Sequence, residues 1–105
     1  MGLTLDLAAS AQIAVVRIGS LELVAWSDMD ALLRAAQNRK LAVLGLEGFK
    51  LGPSSVSPDM EAIADFSTLS RDSRRAKRSF AGAWRFLADI SSKQLHFDIV
   101  WEEQK

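Results

Sequence analysis

Six consecutive apolar residues, Leu-Ala-Val-Leu-Gly-Leu at positions 41–46, constrain the fold of this chain more than any other feature. Since no polar residue marks a face, the run is typical of a strand that is covered on both sides. It is far shorter than the roughly 20 apolar residues that a membrane span needs. The sequence therefore predicts a central strand of a sheet, packed against amphipathic helices.

Two strand-like runs come before it, at residues 13–18 and 21–26, after a start that we expect to be frayed. Gly19 and Ser20 join them, and a Gly-Ser pair between two strands is typical of a type II′ turn in which the glycine takes a positive φ. These residues predict a β-hairpin.

Amphipathic helices are predicted on both sides of the apolar run. Ser27 is a candidate N-cap for the first, whose apolar stripe is Met29, Leu32, Leu33 and Ala36. The second helix begins near residue 72. Its predicted apolar stripe consists of Ala76, Phe80, Ala83, Trp84, Leu87 and either Ile90 or Ser91. Phe86 falls outside this stripe.

The segment 57–67 is predicted to form a short acidic helix. Ser57 can cap a helix, and Pro58 is favoured at the first helical position. Met60 and Ile63 would then point inward.

The last segment, residues 95–101, alternates with a period of two and predicts a strand with one wet face. Leu95, Phe97, Ile99 and Trp101 share one side, and His96 and Asp98 share the other. The element order is thus β-β-α-β-(β)-α-α-β. It predicts an α+β fold with a single-layer, mostly antiparallel sheet and helices packed on one face, in a single domain over residues 1–105. The strands at 41–46 and 95–101 are expected inside the sheet.

The composition excludes several classes of chemistry. The chain has no cysteine and one histidine, so thiolate chemistry is excluded and a histidine-based metal site is disfavoured. Phosphate-loop, nucleophile-elbow and zinc-protease motifs are missing. His96 is interpreted as a surface histidine rather than a general base. We expect a protein that is not an enzyme and that binds no cofactor or metal.

Charge is balanced, with 13 basic and 13 acidic residues, and the start of the chain lacks the cationic character of a signal peptide. We therefore expect a soluble cytoplasmic protein that does not bind membranes. The net charge gives no whole-protein argument for nucleic acid, although a local patch can still bind it.

One acidic concentration stands out, formed by Glu47, Asp59, Glu61 and Asp65. These side chains could meet a basic protein partner or hold a hard cation. In the purely structural alternative, Asp59 and Glu61 stabilise a helix N-terminus and Asp65 is solvated.

A basic concentration covers residues 71–78. On a helix, Arg71, Arg74, Arg75 and Arg78 would share one face, which could grip phosphates. The alternative is that these cations are solvated or pair within the chain, with the acids of the preceding segment as the expected partners.

A resemblance to known proteins is carried by Leu-Gly-Leu-Glu-Gly-Phe at 44–49 together with Pro-Asp-Met-Glu-Ala-Ile-Ala-Asp-Phe-Ser at 58–67. This segment resembles one in short actinobacterial proteins of uncertain function, some of them immunity proteins of toxin systems. The resemblance covers about a quarter of the chain and implies no catalytic residue.

Three functions are therefore compared. The first is a protein-interaction module, such as an inhibitor or immunity protein, whose acidic residues meet a basic site on a toxin or other partner. The alternative is a nucleic-acid-binding module that uses the 71–78 patch. The third is an enzyme or a small-ligand binder with a pocket lined by Trp26, Trp84 or Trp101. A homodimer through an exposed edge strand is also open.

Overall fold

The computed structural model describes residues 2–104, which form three α-helices and one five-stranded antiparallel sheet. The predicted α+β class is confirmed. The sheet order is β1-β2-β5-β3-β4, so the strands at 41–46 and 95–101 lie inside the sheet as predicted. The elements are α1 (Leu3–Ala11), β1 (Val16–Ile18), β2 (Leu21–Ala25), α2 (Met29–Gln37), β3 (Leu41–Leu51), β4 (Val56–Asp65), α3 (Arg75–Asp89) and β5 (His96–Glu103).

The core lies between the helices and one face of the sheet. Burying its side chains supplies the main driving force for folding, because apolar surface leaves water. The buried contributors include Leu7, Leu32, Leu33 and Phe80 from the helices and Val43, Leu46 and Phe97 from the strands. Among residues 2–104, no helix is long and apolar enough to cross a membrane.

Several local predictions are confirmed. Gly19 has a φ of 60° in the hairpin turn, and Ser20 is not among the residues with positive φ. That combination fits the predicted type II′ turn. The stripe of α2 is also confirmed, since Met29, Leu32, Leu33 and Ala36 are its buried residues. Ser27 does not cap this helix; it lies in a 3-10 turn over Trp26–Asp28.

The acidic helix predicted over 57–67 is wrong, because this segment forms β4. Met60 and Ile63, which a helix would have buried, are 75% and 44% exposed. The physical reason is the length of β3: its 11 residues leave backbone groups that another strand must satisfy, and that need overrides local helix preference. Pro58 is tolerated because β4 is an edge strand.

One further expectation needs correction. The start of the chain is a helix, α1, which buries Thr4, Leu7 and Ala8 at helical spacing. Phe86 is not among the buried residues of α3, as predicted, but it is partly buried and its ring meets that of Phe97 edge-on at 6.4 Å.

The N-terminal part of β3 extends beyond the end of β4, and α3 closes this gap. The backbone N–H of Val43 donates to Ser79 Oγ at 2.9 Å, and that hydroxyl donates to the carbonyl of Ala76 at 2.8 Å. Both Val43 and Ser79 are almost fully buried. A side chain of α3 thus takes the place of a neighbouring strand.

Candidate functional site

The sheet face away from the core carries the candidate site. In one row across three strands, Ile63 of β4 lies opposite Glu47 of β3, which lies opposite Asp98 of β5. Alternation along the strands places these side chains on the face opposite Leu46 and Phe97, which belong to the core. Two carboxylates therefore stand directly across a strand pair, an arrangement that destabilises a sheet by repulsion.

The next row of the same face contains a gap. Asp65, Gly45 and Val100 lie side by side, and Gly45 brings no side chain between its two neighbours. The result is a depression of about 270 Å³ whose walls include Ile63, Val100 and the three acids Glu47, Asp65 and Asp98. Val100 is 50% exposed. The prediction that β3 is covered on both faces is therefore wrong here, because an open depression lies over Gly45 on the outer face.

The carboxylates of this depression differ in their electrostatics. Burial raises the pKa of Asp98, and the charges of Glu47 and Glu22 raise it further. Hydrogen bonds from the side chain and backbone of Ser67 lower the pKa of Asp65. Within residues 2–104, no salt bridge involves Glu47, Asp65 or Asp98.

Asp59 and Glu61 lie outside this depression, so the structure divides the four predicted acids into two pairs. Asp59 and Glu61 belong to a bulge of β4, where the pairing with β3 jumps from Ile63 to Pro58. Asp59 Oδ1 accepts a hydrogen bond from the backbone N–H of Glu61 at 3.0 Å. These two acids and Asp89 of α3 border a second depression of about 320 Å³.

The 71–78 segment does not present a continuous basic face. Arg75 is buried, 3% exposed, and its guanidinium binds both carboxylate oxygens of Glu102, at 2.5 and 3.2 Å, and the carbonyl of Leu69. Arg78 pairs with Asp72 at 3.4 Å. Pairing within the chain, the alternative given above, is thus observed for these two arginines, although the acids differ from the expected ones.

The cations of the patch other than Arg75 are on the surface. Arg74, Lys77 and Arg78 border one shallow depression on the outside of α3. Arg71 precedes the helix, so it does not share a helical face with them. The patch that could meet phosphates is smaller than the sequence predicted.

His96 and the three tryptophans are partly buried. His96 lies opposite Phe49 and Ala25, and its Nδ1 is buried with no hydrogen-bond partner. Each indole N–H has an internal acceptor: Trp26 donates to the carbonyl of Leu87, Trp84 to Asp30 and Trp101 to Thr4. No tryptophan lines the depressions described here.

Sequence reasoning missed Asp98 and Val100 as site residues. The alternation over 95–101 did place Asp98 on the wet face, but only the register of β5 against β3 brings it to Glu47. Within residues 2–104, no cluster of three or more acidic or histidine side chains is arranged to hold a metal ion.

Comparison with known proteins found no match among family models, curated proteins or solved structures. The resemblance of residues 44–49 and 58–67 to short actinobacterial proteins therefore stays a prediction.

Proposed function

We propose that this protein is a non-catalytic, cytoplasmic protein-interaction module that binds its partner through the outer sheet face around Gly45. As an inhibitor or immunity protein it would act by occluding a basic site on that partner. The observation that carries the proposal is the exposed pair of aliphatic side chains, Ile63 and Val100, surrounded by carboxylates that have no counter-ion in the described part of the chain.

The chemistry of this face matches that of protein interfaces. An apolar centre supplies area that leaves water on binding, and a charged rim speeds the encounter with a partner of opposite charge. Of the four acids predicted from sequence, Glu47 and Asp65 belong to this face. Asp98 joins them, whereas Asp59 and Glu61 border a separate depression.

Self-association through a sheet edge is less well supported. If two copies of β4 paired antiparallel around Ile63, Glu61 of one would lie opposite Asp65 of the other. Two copies of β1 paired around its centre would bring Arg17 against Arg17. Like charges opposite each other disfavour both pairings. We therefore propose a partner of different sequence.

A nucleic-acid role has weaker support than protein binding, because Arg75 is committed to Glu102 inside the protein. Salt dependence discriminates the two roles. Three surface cations, Arg74, Lys77 and Arg78, predict a log–log slope of about −2 to −3 for duplex DNA. Absence of retention on DNA or RNA at low salt would remove this role.

A matched pair of variants tests the proposed function. Val100→Lys places a bulky cation in the depression, and Val16→Lys makes the same change at another exposed valine, on β1. The tagged wild type and each variant are used to capture partners from native cell extract. One stoichiometric protein should be retained by wild type and by Val16→Lys and lost with Val100→Lys. Equal retention by both variants would contradict this site, and the lack of any stoichiometric protein would contradict the function.

A further inference from the structure

The depression at Gly45 has the size of a site for one side chain. Ligand pockets for drug-sized molecules are typically 300–1,000 Å³, whereas this depression measures about 270 Å³. Gly45 leaves this space open because it has no side chain, and a Cβ at position 45 would come within 3.2 Å of the carbonyl oxygen of Ala64. A slender aliphatic stem fits such a space between Val100 and Ile63.

The carboxylates beside the depression indicate which chemical group the bound side chain carries at its end. Glu47 and Asp98 repel each other across β3 and β5. Burial raises the pKa of Asp98, and the nearby charges of Glu47 and Glu22 raise it further. A fold normally avoids opposing like charges, and departures from such local rules concentrate at functional sites. A cation placed between the two carboxylates would turn repulsion into attraction.

We infer that the depression receives one arginine side chain of the protein partner, with its stem against Val100 and Ile63 and its guanidinium between Glu47 and Asp98. Arginine fits better than lysine because its planar fork can donate to two carboxylates at once and because it is less strongly hydrated than an ammonium group. This inference rests on the proposed function and specifies the chemistry that the partner must offer.

The test uses blocked tripeptides as probes, acetyl-Ala-Arg-Ala-amide and its neutral isostere acetyl-Ala-citrulline-Ala-amide. Methyl NMR follows Ile63 and Val100 at the site and Ile18 as an exposed reference on β1. The arginine peptide should shift the two site methyls saturably, with a millimolar Kd as expected for one side chain, and should leave Ile18 unchanged. The citrulline peptide should not bind measurably.

Variants with equal charge changes provide the control. Glu47→Gln with Asp98→Asn should weaken binding of the arginine peptide by about tenfold or more, the effect of losing two partly buried charge-assisted contacts. Glu61→Gln with Asp59→Asn removes the same charge from the bulge of β4 and should leave the Kd within about twofold. Unchanged methyl signals of Leu32, which is buried on α2, verify that both variants fold.

Several results would overturn the inference: no saturable shift at Ile63 and Val100, an equal response to citrulline, or equal weakening by both double variants. An equal or stronger response to acetyl-Ala-Lys-Ala-amide or to CaCl₂ would also overturn it, because the site would then select any cation. These outcomes are separable from failure of the proposed function. If the captured partner is lost with Val100→Lys but the arginine peptide does not bind, the face is an interface that recognises another chemistry.

Discussion

Neutralising Glu47 should stabilise the fold, because its carboxylate opposes that of Asp98 across neighbouring strands. Directly opposed cross-strand residues have Cβ atoms about 5 Å apart, and such pairs contribute roughly 0.2–1 kcal/mol. Both side chains are half-buried, which places the pair toward the upper part of that range. We expect Glu47→Gln to raise the free energy of unfolding at pH 7 by about 0.5–1 kcal/mol, or roughly 2–8 °C in Tm for a chain of this size.

The pH dependence of the free energy of unfolding gives the direction of this effect. Burial and the charges of Glu47 and Glu22 raise the pKa of Asp98. His96 is the histidine on the same strand and lies two residues before Asp98. The native state therefore holds the Asp98 proton more tightly than the unfolded state does. Stability is lost as pH rises from the ordinary aspartate range through the raised pKa. The advantage of Glu47→Gln should be small where Asp98 is protonated and should grow as the pH rises through the raised pKa of Asp98.

Urea titrations of wild type, Glu47→Gln and Glu61→Gln, each at low and high salt, measure this effect. Glu61 lies in the bulge of β4, so its replacement removes one charge without relieving the cross-strand pair. Added salt should shrink the advantage of Glu47→Gln, because the repulsion is partly open to solvent. If the two glutamine variants unfold alike at every pH, the repulsion has been assigned to the wrong pair.

Three more substitutions test other parts of the structure. Ser79→Ala should lower the free energy of unfolding, measured in urea, by about 1–2 kcal/mol, because the buried N–H of Val43 loses its acceptor. Unchanged stability together with unchanged hydrogen exchange at Val43 would refute this. Gly48→Ala should lower the free energy of unfolding by roughly 1–3 kcal/mol through overpacking, since the new Cβ would lie 2.8 Å from the Cβ of Ala62. A Tm equal to that of wild type would show that the bulge of β4 moves to accommodate the methyl group. His96→Phe should raise stability by about 1 kcal/mol by removing a buried nitrogen without a partner, whereas a loss measured by thermal unfolding would reveal a bond that His96 makes in solution.

The sequence by itself determined the elements whose local preferences agree with their tertiary surroundings. The stripe of α2, the positive φ of Gly19 and the alternation of β5 follow from helical period, turn chemistry and strand period. Each depends on residues close together in the chain. The same reasoning placed Asp98 on a wet face and Glu47 near the apolar run, which are the two halves of the proposed site.

Only the tertiary structure decided the state of residues 57–65 and the fate of the charged groups. Pro58 and the acids after it favour a helix start locally, but the unpaired edge of β3 made them a strand. Arg75 joins a basic run in sequence, yet its guanidinium lies inside the fold against Glu102. Glu47 and Asp98 are 51 positions apart in the chain and meet because β3 and β5 pair in one register. Pairing between distant strands is a long-range property, which is why no local pattern contained it.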